Sequence, residues 1–153
     1  MKIALGSDHT GVDVRAKLRE MLDRLGLDHE DFGCDTREAV DYPDYAMAVG
    51  RAVAEGKCDT GVLICGTGNG VGIAANKIRG VLAAVCHDEF TTEMARKHNH
   101  ANVLCVGARV LSTEQILKLL EVWLQTEPEH GRHDRRVAKI LRLEQESCSR
   151  QQT

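Results

Sequence analysis

The stretch 61–80, GVLICGTGNGVGIAANKIRG, carries the densest chemistry in the chain. An apolar run stops at Cys65, and Gly66, Gly68, Gly70 and Gly72 follow it. That pattern is a strand running into a glycine-rich turn. Ile73, Ala74, Ala75, Lys77 and Ile78 continue without proline, so the turn feeds a helix whose first N–H groups point back at the strand end. Glycines let the backbone approach a ligand and take positive φ, and the helix dipole adds about half a positive charge at the same point. Gly66, Thr67, Gly68, Asn69 and Gly70 therefore read as an anion cradle. A thiolate at its entrance would be stabilised by the same groups, which gives Cys65 the chemistry of a base or nucleophile. Cysteine is also among the most buried residue types, so a packing role stays open. The loop lacks the Lys-Ser/Thr ending of a Walker loop, and its near match to a dinucleotide fingerprint is too short to be specific.

Three further groups have suitable chemistry. Asp8 and His9 follow the first apolar run, and a carboxylate beside an imidazole can hold the ring or bind sugar hydroxyls. Asp8 as a plain helix cap explains the pair equally well. His98 and Asn99 close a predicted helix, where the dipole favours histidine without any catalysis. Arg132 and Arg136 stand four apart in the first turns of the last predicted helix, where cations oppose the dipole unless an anion offsets them. Guanidinium forks match phosphate oxygens, so the misplacement points to a phosphate, with a solvated basic face as the alternative.

Positioning these residues needs a real core, and the composition supplies one. The chain of 153 residues is 42% hydrophobic and 28% charged, ordinary for one globular domain. Aromatics are only 3%, so the core must be Val, Leu, Ile and Ala, which suits helices on a parallel sheet. A net charge of −3 with no basic face argues against nucleic acid as a partner. No apolar run approaches the roughly 20 residues of a membrane span. The start, MKIALGSDH, turns polar too soon for a signal peptide, and six cysteines (34, 58, 65, 86, 105 and 148) form no CxxC pair. These features predict a reduced, cytoplasmic protein. Seven His and six Cys at no zinc-like spacing give no support for a metal site.

In chain order, 2–6 reads as a strand, and Val14, Leu18, Met21, Leu22 and Leu25 form a helical stripe ended by Gly26. A polar strand is expected within 27–33. A helix opens with Pro43 at its first position and ends at Gly56. After the strand at 61–65 come an apolar segment at 80–87, a helix from Asp88 to Asn99, and a strand at 102–110. Ser112 and Gln115 resemble a capping box for a helix through Trp123, and a last helix begins near Arg132 with Val137, Ile140, Leu141 and Leu143. Alternating strands and helices predict a single α/β domain over 1–147, a three-layer sandwich around a five-stranded parallel sheet, with a C-terminal helix and a disordered tail at 148–153. Ligands of such sheets bind beyond the strands' carboxyl ends, so Asp8, His9, the Cys65 loop, His87 and Arg109 are expected to converge.

Taken together, KIALGSDHTG, DYPDYA, LICGTGNGVGIAANK, RKHNHANVLCVGARV and GRHDRRV, in that order, resemble the ribose-5-phosphate isomerase type B family, which includes the subunits of galactose-6-phosphate isomerase. The resemblance spans nearly the whole chain. It implies a Rossmann-like fold, no metal or organic cofactor, a phosphorylated sugar as substrate, and a homodimer, sometimes paired into tetramers, with active sites built from both chains. It puts Cys65 at the place of the catalytic base and His98 at that of the ring-opening group, with Asp8 or Thr67 assisting. His9, Tyr42, Gly66, Gly68, Asn69, Gly70, Asn99, Arg109, Arg132 and Arg136 stand at substrate-binding positions. Relatives that use a glutamate base carry it where this chain has Val71. The implied reaction interconverts ribose 5-phosphate and ribulose 5-phosphate through a cis-enediolate. The alternatives are a six-carbon substrate such as galactose 6-phosphate or allose 6-phosphate, a non-catalytic sugar-phosphate or nucleotide binding module, and a thiol-redox role in which Cys86 or Cys105 approaches Cys65.

Overall fold

Residues 1–150 are described by a computed structural model. Its elements are β1 (Lys2–Ser7), a 3-10 turn (His9–Gly11), α1 (Val12–Arg24), β2 (Asp28–Asp31), α2 (Tyr42–Ala54), β3 (Thr60–Cys65), α3 (Asn69–Ala75), β4 (Ala83–Val85), α4 (Glu89–Asn99), β5 (Val103–Gly107), α5 (Thr113–Gln125) and α6 (Arg132–Arg150). The five strands are parallel in the order β2-β1-β3-β5-β4. The expected tail at 148–153 begins within the last turn of α6, and residues 151–153 lie outside the described residues.

The period-2 alternation of the strands divides the core in two. Ile3, Leu5, Val62, Ile64, Leu104 and Val106 face one side, where Val14, Leu18 and Leu22 of α1, Ala95 of α4 and Ile116, Leu120 and Trp123 of α5 meet them. Ala4, Leu63, Cys65, Val103 and Cys105 face the other, against Val49 and Val53 of α2 and Val71 and Ala75 of α3. Both faces are covered, as a parallel sheet requires, and the predicted three-layer α/β sandwich is the architecture observed.

Where local detail departs from the sequence reading, edge position and turns explain it. The polar DHED segment is a strand because it pairs with β1 alone at one edge, where polar side chains can stay wet. Of the apolar 80–87 run only three residues pair, at the opposite edge. β5 stops at Gly107, since the Val110 and Leu111 N–H groups turn back onto the Gly107 carbonyl. Leu25 falls beyond α1 and is exposed, so the buried stripe ends at Leu22. α2 starts one residue before Pro43, and both predicted stops, Gly26 and Gly56, take positive φ. Asp88–Thr91 and Ser112–Gln115 form reciprocal capping boxes on α4 and α5.

The amino edge of the sheet is pinned by one buried relay. Trp123 Nε1–H donates to Thr60 Oγ1 at 2.9 Å, and that hydroxyl donates to the Asn102 carbonyl at 2.9 Å. The Asn102 side chain accepts from Leu82 N–H and donates to the Gly80 carbonyl, so α5, β3, β5 and the approach to β4 share one network. Thr60→Val preserves shape and strands the indole N–H. It is expected to lower unfolding free energy by about 1–3 kcal/mol in denaturant titration.

Candidate functional site

The sheet's direction of winding reverses between β1 and β3: β1 leads outward to β2, and β3 leads toward β5 and β4. Such a switch point opens a crevice at the carboxyl edge. Asp8 N–H extends the pairing onto the Ile64 carbonyl at 3.2 Å, and Ala108 N–H donates to the Cys65 carbonyl at 2.9 Å. The first residues after three neighbouring strands are thus set side by side.

Cys65 is 5% exposed, and its sulfur accepts the Gly68 N–H at 3.2 Å. Gly68 caps α3 with φ +82°, a left-handed conformation that turns its amide toward the sulfur. A Cβ there would meet the Val106 backbone at 3.0 Å, and one on Gly107 would lie 2.7 Å from the Thr67 carbonyl carbon. Loop and strand end are therefore in backbone contact. Thr67 and Asn69 are exposed above this layer. The Tyr42 ring covers Gly70, where a Cβ would fall 2.8 Å from two ring carbons. The Arg109 side chain crosses Gly66, whose imagined Cβ would sit 3.7 Å from Arg109 Nη1, and Arg109 N–H donates to the Gly66 carbonyl at 3.0 Å.

Asp8 is buried and caps the 3-10 turn, its Oδ1 accepting from Thr10 N–H at 2.8 Å and Thr10 Oγ1 at 2.6 Å. The capping explanation of Asp8 is realised in the geometry. His9 Nδ1 accepts Val40 N–H at 3.4 Å, which leaves the ring proton on Nε2. His87 stands exposed after β4.

The other predicted residues gather elsewhere. α4 starts at the carboxyl edge and its eleven residues rise about 16 Å, so His98 and Asn99 arrive at the amino edge. There His98 stacks on His133, centroids 4.2 Å apart and planes within 1° of parallel. Glu129 Oε2 lies 3.8 Å from His98 Nε2 and 3.7 Å from His133 Nε2. Exposed Arg132 and Arg136 begin α6 beside them. One chain therefore holds two halves: Asp8, His9, Tyr42, Cys65–Gly70 and Arg109 at one edge, and His98, Asn99, Arg132 and Arg136 at the other.

The ligand atoms of His98, Glu129 and His133 lie within 4.8 Å of one another, a spacing compatible with a metal ion. Parallel stacked rings direct their in-plane lone pairs side by side, so the two nitrogens cannot meet at one ion in this arrangement. A groove of about 800 Å³ lies between the α3–β4 connection, β4 and α6, and it is lined by no thiol or imidazole.

Three contributors went unread in the sequence. Arg15 continues the stripe of Leu18 and Leu22 yet is charged, a position a guanidinium takes only with buried partners. It is 3% exposed, donates to Ser7 Oγ at 2.6 Å, and pairs with Asp31 and Asp35 at 2.8 Å each. It thereby braces Ser7, immediately before Asp8, against the segment after β2. Glu129 and His133 carried no periodic signal, because their place beside His98 is a tertiary fact.

No helix among the described residues is long and apolar enough to cross a membrane. Residues 3–140 match the sequence profile of the family described as Ribose/Galactose Isomerase. The ribose-5-phosphate isomerase B of Escherichia coli is 42% identical over 94% of this chain and 97% of that protein. The D-erythrulose-4-phosphate isomerase of Pectobacterium atrosepticum is 39% identical over 92% and 93%. The solved ribose-5-phosphate isomerase B of Mycoplasma genitalium with bound ribulose-5-phosphate superposes with a TM-score of 0.92 at 41% identity, covering 95% of this chain and 97% of that one. The matched span of residues 3–140 includes the cysteine loop, His9, His98 and the arginines that begin α6, and the chain belongs to the ribose/galactose isomerase family.

Proposed function

We propose that this protein is an aldose-ketose isomerase that interconverts ribose 5-phosphate and ribulose 5-phosphate, with Cys65 as the base. The observation that carries the reading is the Cys65 sulfur at the switch-point crevice, already accepting a loop N–H. His98, with Asp8 or Thr67 assisting, opens the furanose by moving a proton between ring oxygen and anomeric hydroxyl. The Cys65 thiolate takes the C2 proton of the open aldehyde, giving a cis-enediolate. The resulting thiol returns a proton to C1 while the O2 proton is lost and O1 gains one, so the step is redox-neutral within the sugar. N–H groups of the 66–70 loop stabilise the charge on the enediolate oxygens, where a lost donor costs about 2.7–4 kcal/mol. Arg132 and Arg136, with Arg109 and His9, hold the phosphate, and Tyr42 and Asn99 bind along the sugar. No cofactor enters these steps.

The separation of the two halves by roughly 16 Å along α4 supports a second element of the reading: the active unit is a homodimer, with His98, Asn99, Arg132 and Arg136 of one chain facing the Cys65 edge of another. α6 touches the rest of the chain chiefly through α4, and its Ile140 is 46% exposed. The Pectobacterium relative's name favours one further possibility, a four-carbon substrate. Rates on four-, five- and six-carbon aldose phosphates, with solvent deuterium entering C1 or C2, decide between the substrates. A chain that exchanges no deuterium with any of them is a binding module.

Cys65→Ala is expected to reduce turnover of ribose 5-phosphate to below a few per cent, with sugar-phosphate binding by calorimetry retained. Greater residual activity would remove Cys65 as the base. Arg136→Ala should raise KM about tenfold or more at nearly constant kcat, since charge-assisted bonds contribute about 1.5–3 kcal/mol each. Cys65→Ala and His98→Ala chains, each inactive alone, should recover about a quarter of the wild-type rate when mixed and reassorted, because half the dimers then hold one intact site. Absence of recovery, with mixed dimers demonstrated by mass, would place both groups in one chain's site.

A further inference from the structure

Glu129 lies between two imidazoles, and the hydrogen bonding decides which of them it serves. His133 is 3% exposed, and burial, followed by the neighbouring His98, Arg132 and Arg136, lowers its pKa below the usual histidine value, so the ring is neutral at pH 7. Arg132 Nε–H donates to His133 Nε2 at 3.2 Å, which makes that nitrogen an acceptor and puts the ring proton on Nδ1. His133 therefore offers Glu129 no proton. The carboxylate oxygen is left to His98, whose Nε2 stands 3.8 Å away, an electrostatic contact longer than a hydrogen bond.

The placement of Glu129 is tied to the helix end that carries His98. Its N–H donates to the Lys97 carbonyl at 2.9 Å, and its carbonyl lies 2.8 Å from His100 Nε2. Residues on both sides of His98 thus grip the Glu129 backbone, so its carboxylate follows the imidazole rather than α6. His100 takes a left-handed conformation, φ 51°, at the α4 C-cap, which turns the chain back toward this contact. Neither ring nitrogen of His98 makes a hydrogen bond within the described residues, and Nε2 is the one paired with the Glu129 carboxylate.

We propose that Glu129 is a positioning residue that holds the His98 proton on Nε2 and frees Nδ1 to exchange a proton with the sugar ring. In a neutral imidazole the nitrogen that is protonated is set by the partner of the other, and a fixed carboxylate is such a partner. The neutral His133 ring beneath His98 sets its tilt without competing for the carboxylate. The catalytic half of this inference rests on the reading that His98 opens the ring. The tautomer half does not.

The test uses the full chain with Glu129→Ala and Glu129→Gln. Two-bond nitrogen–proton correlation spectra should show His98 as the Nε2–H tautomer in the wild type and in Glu129→Gln, which keeps an acceptor oxygen. In Glu129→Ala the tautomers should mix. D-Erythrose 4-phosphate cannot close to a furanose, because its C4 oxygen is esterified, so it needs no ring opening. Glu129→Ala should lose tenfold or more in kcat on ribose 5-phosphate with KM within twofold, and less than twofold on erythrose 4-phosphate. Equal losses on both substrates, or an unchanged His98 tautomer in Glu129→Ala, would overturn the proposal. A wild-type chain that turns over neither sugar would defeat the isomerase reading alone, and the spectra would still decide the role of Glu129.

Discussion

The Gly68 amide reaches the Cys65 sulfur at 3.2 Å because several backbone constraints agree. Gly68 takes φ +82°, a conformation that a side chain would strain. Gly107 ends β5 without a Cβ, so Thr67 can lie against it. Ala108 and Arg109 continue β5's pairing onto the Cys65 and Gly66 carbonyls, fixing loop height relative to the sheet. The loop is held by backbone on both sides. Its amides are fixed by the chain's own backbone contacts, and fixed donors are what electrostatic stabilisation of a developing oxyanion requires.

Topology imposes the second constraint. In every strand-helix-strand unit the helix returns the chain to the amino edge, so a residue at a crossover helix's end cannot meet one that follows a strand in the same chain. Cys65 and His98 sit on opposite sides of that rule. The amino edge is nevertheless as deliberately built as the carboxyl edge. Arg96 donates to the Ala101 and Thr126 carbonyls and lies 5.1 Å from the Trp123 ring centroid, while the Trp123–Thr60–Asn102 relay locks the strand starts. Rigidity there keeps the His98–His133 stack and the first turn of α6 in fixed relation.

Much of this was readable in one dimension because it is local. Glycines after Cys65, the Ser112–Gln115 box, the start of α6 at Arg132 and the continuous apolar run along 61–65 each depend on neighbours within a few positions. β2 was harder, since DHED becomes a strand only by pairing with β1 at an edge, and the short β4 is cut down by the Asn76 and Asn102 side-chain bonds that occupy its approach. Asp8 and Cys65 could be placed at strand ends from sequence. Arg15 reaching Ser7, and Glu129 coming to lie beside His98, depend on contacts between segments 8 and 31 residues apart, and no periodicity encodes them.

The sulfurs around Cys65 have a quieter consequence. Cys105 is fully buried, and desolvation, with lesser repulsion from Cys86 and Cys65, pushes its thiol far above the ordinary range; burial likewise pushes Cys86 up to about 11. Disulfide exchange needs an attacking thiolate, and these neighbours are held as S–H. A sulfenic acid formed at Cys65 by peroxide would find no resolving partner beside it and would depend on small-molecule reductants for recovery. The packing that holds Cys86 and Cys105 as thiols leaves the Cys65 sulfur without an internal rescue from over-oxidation.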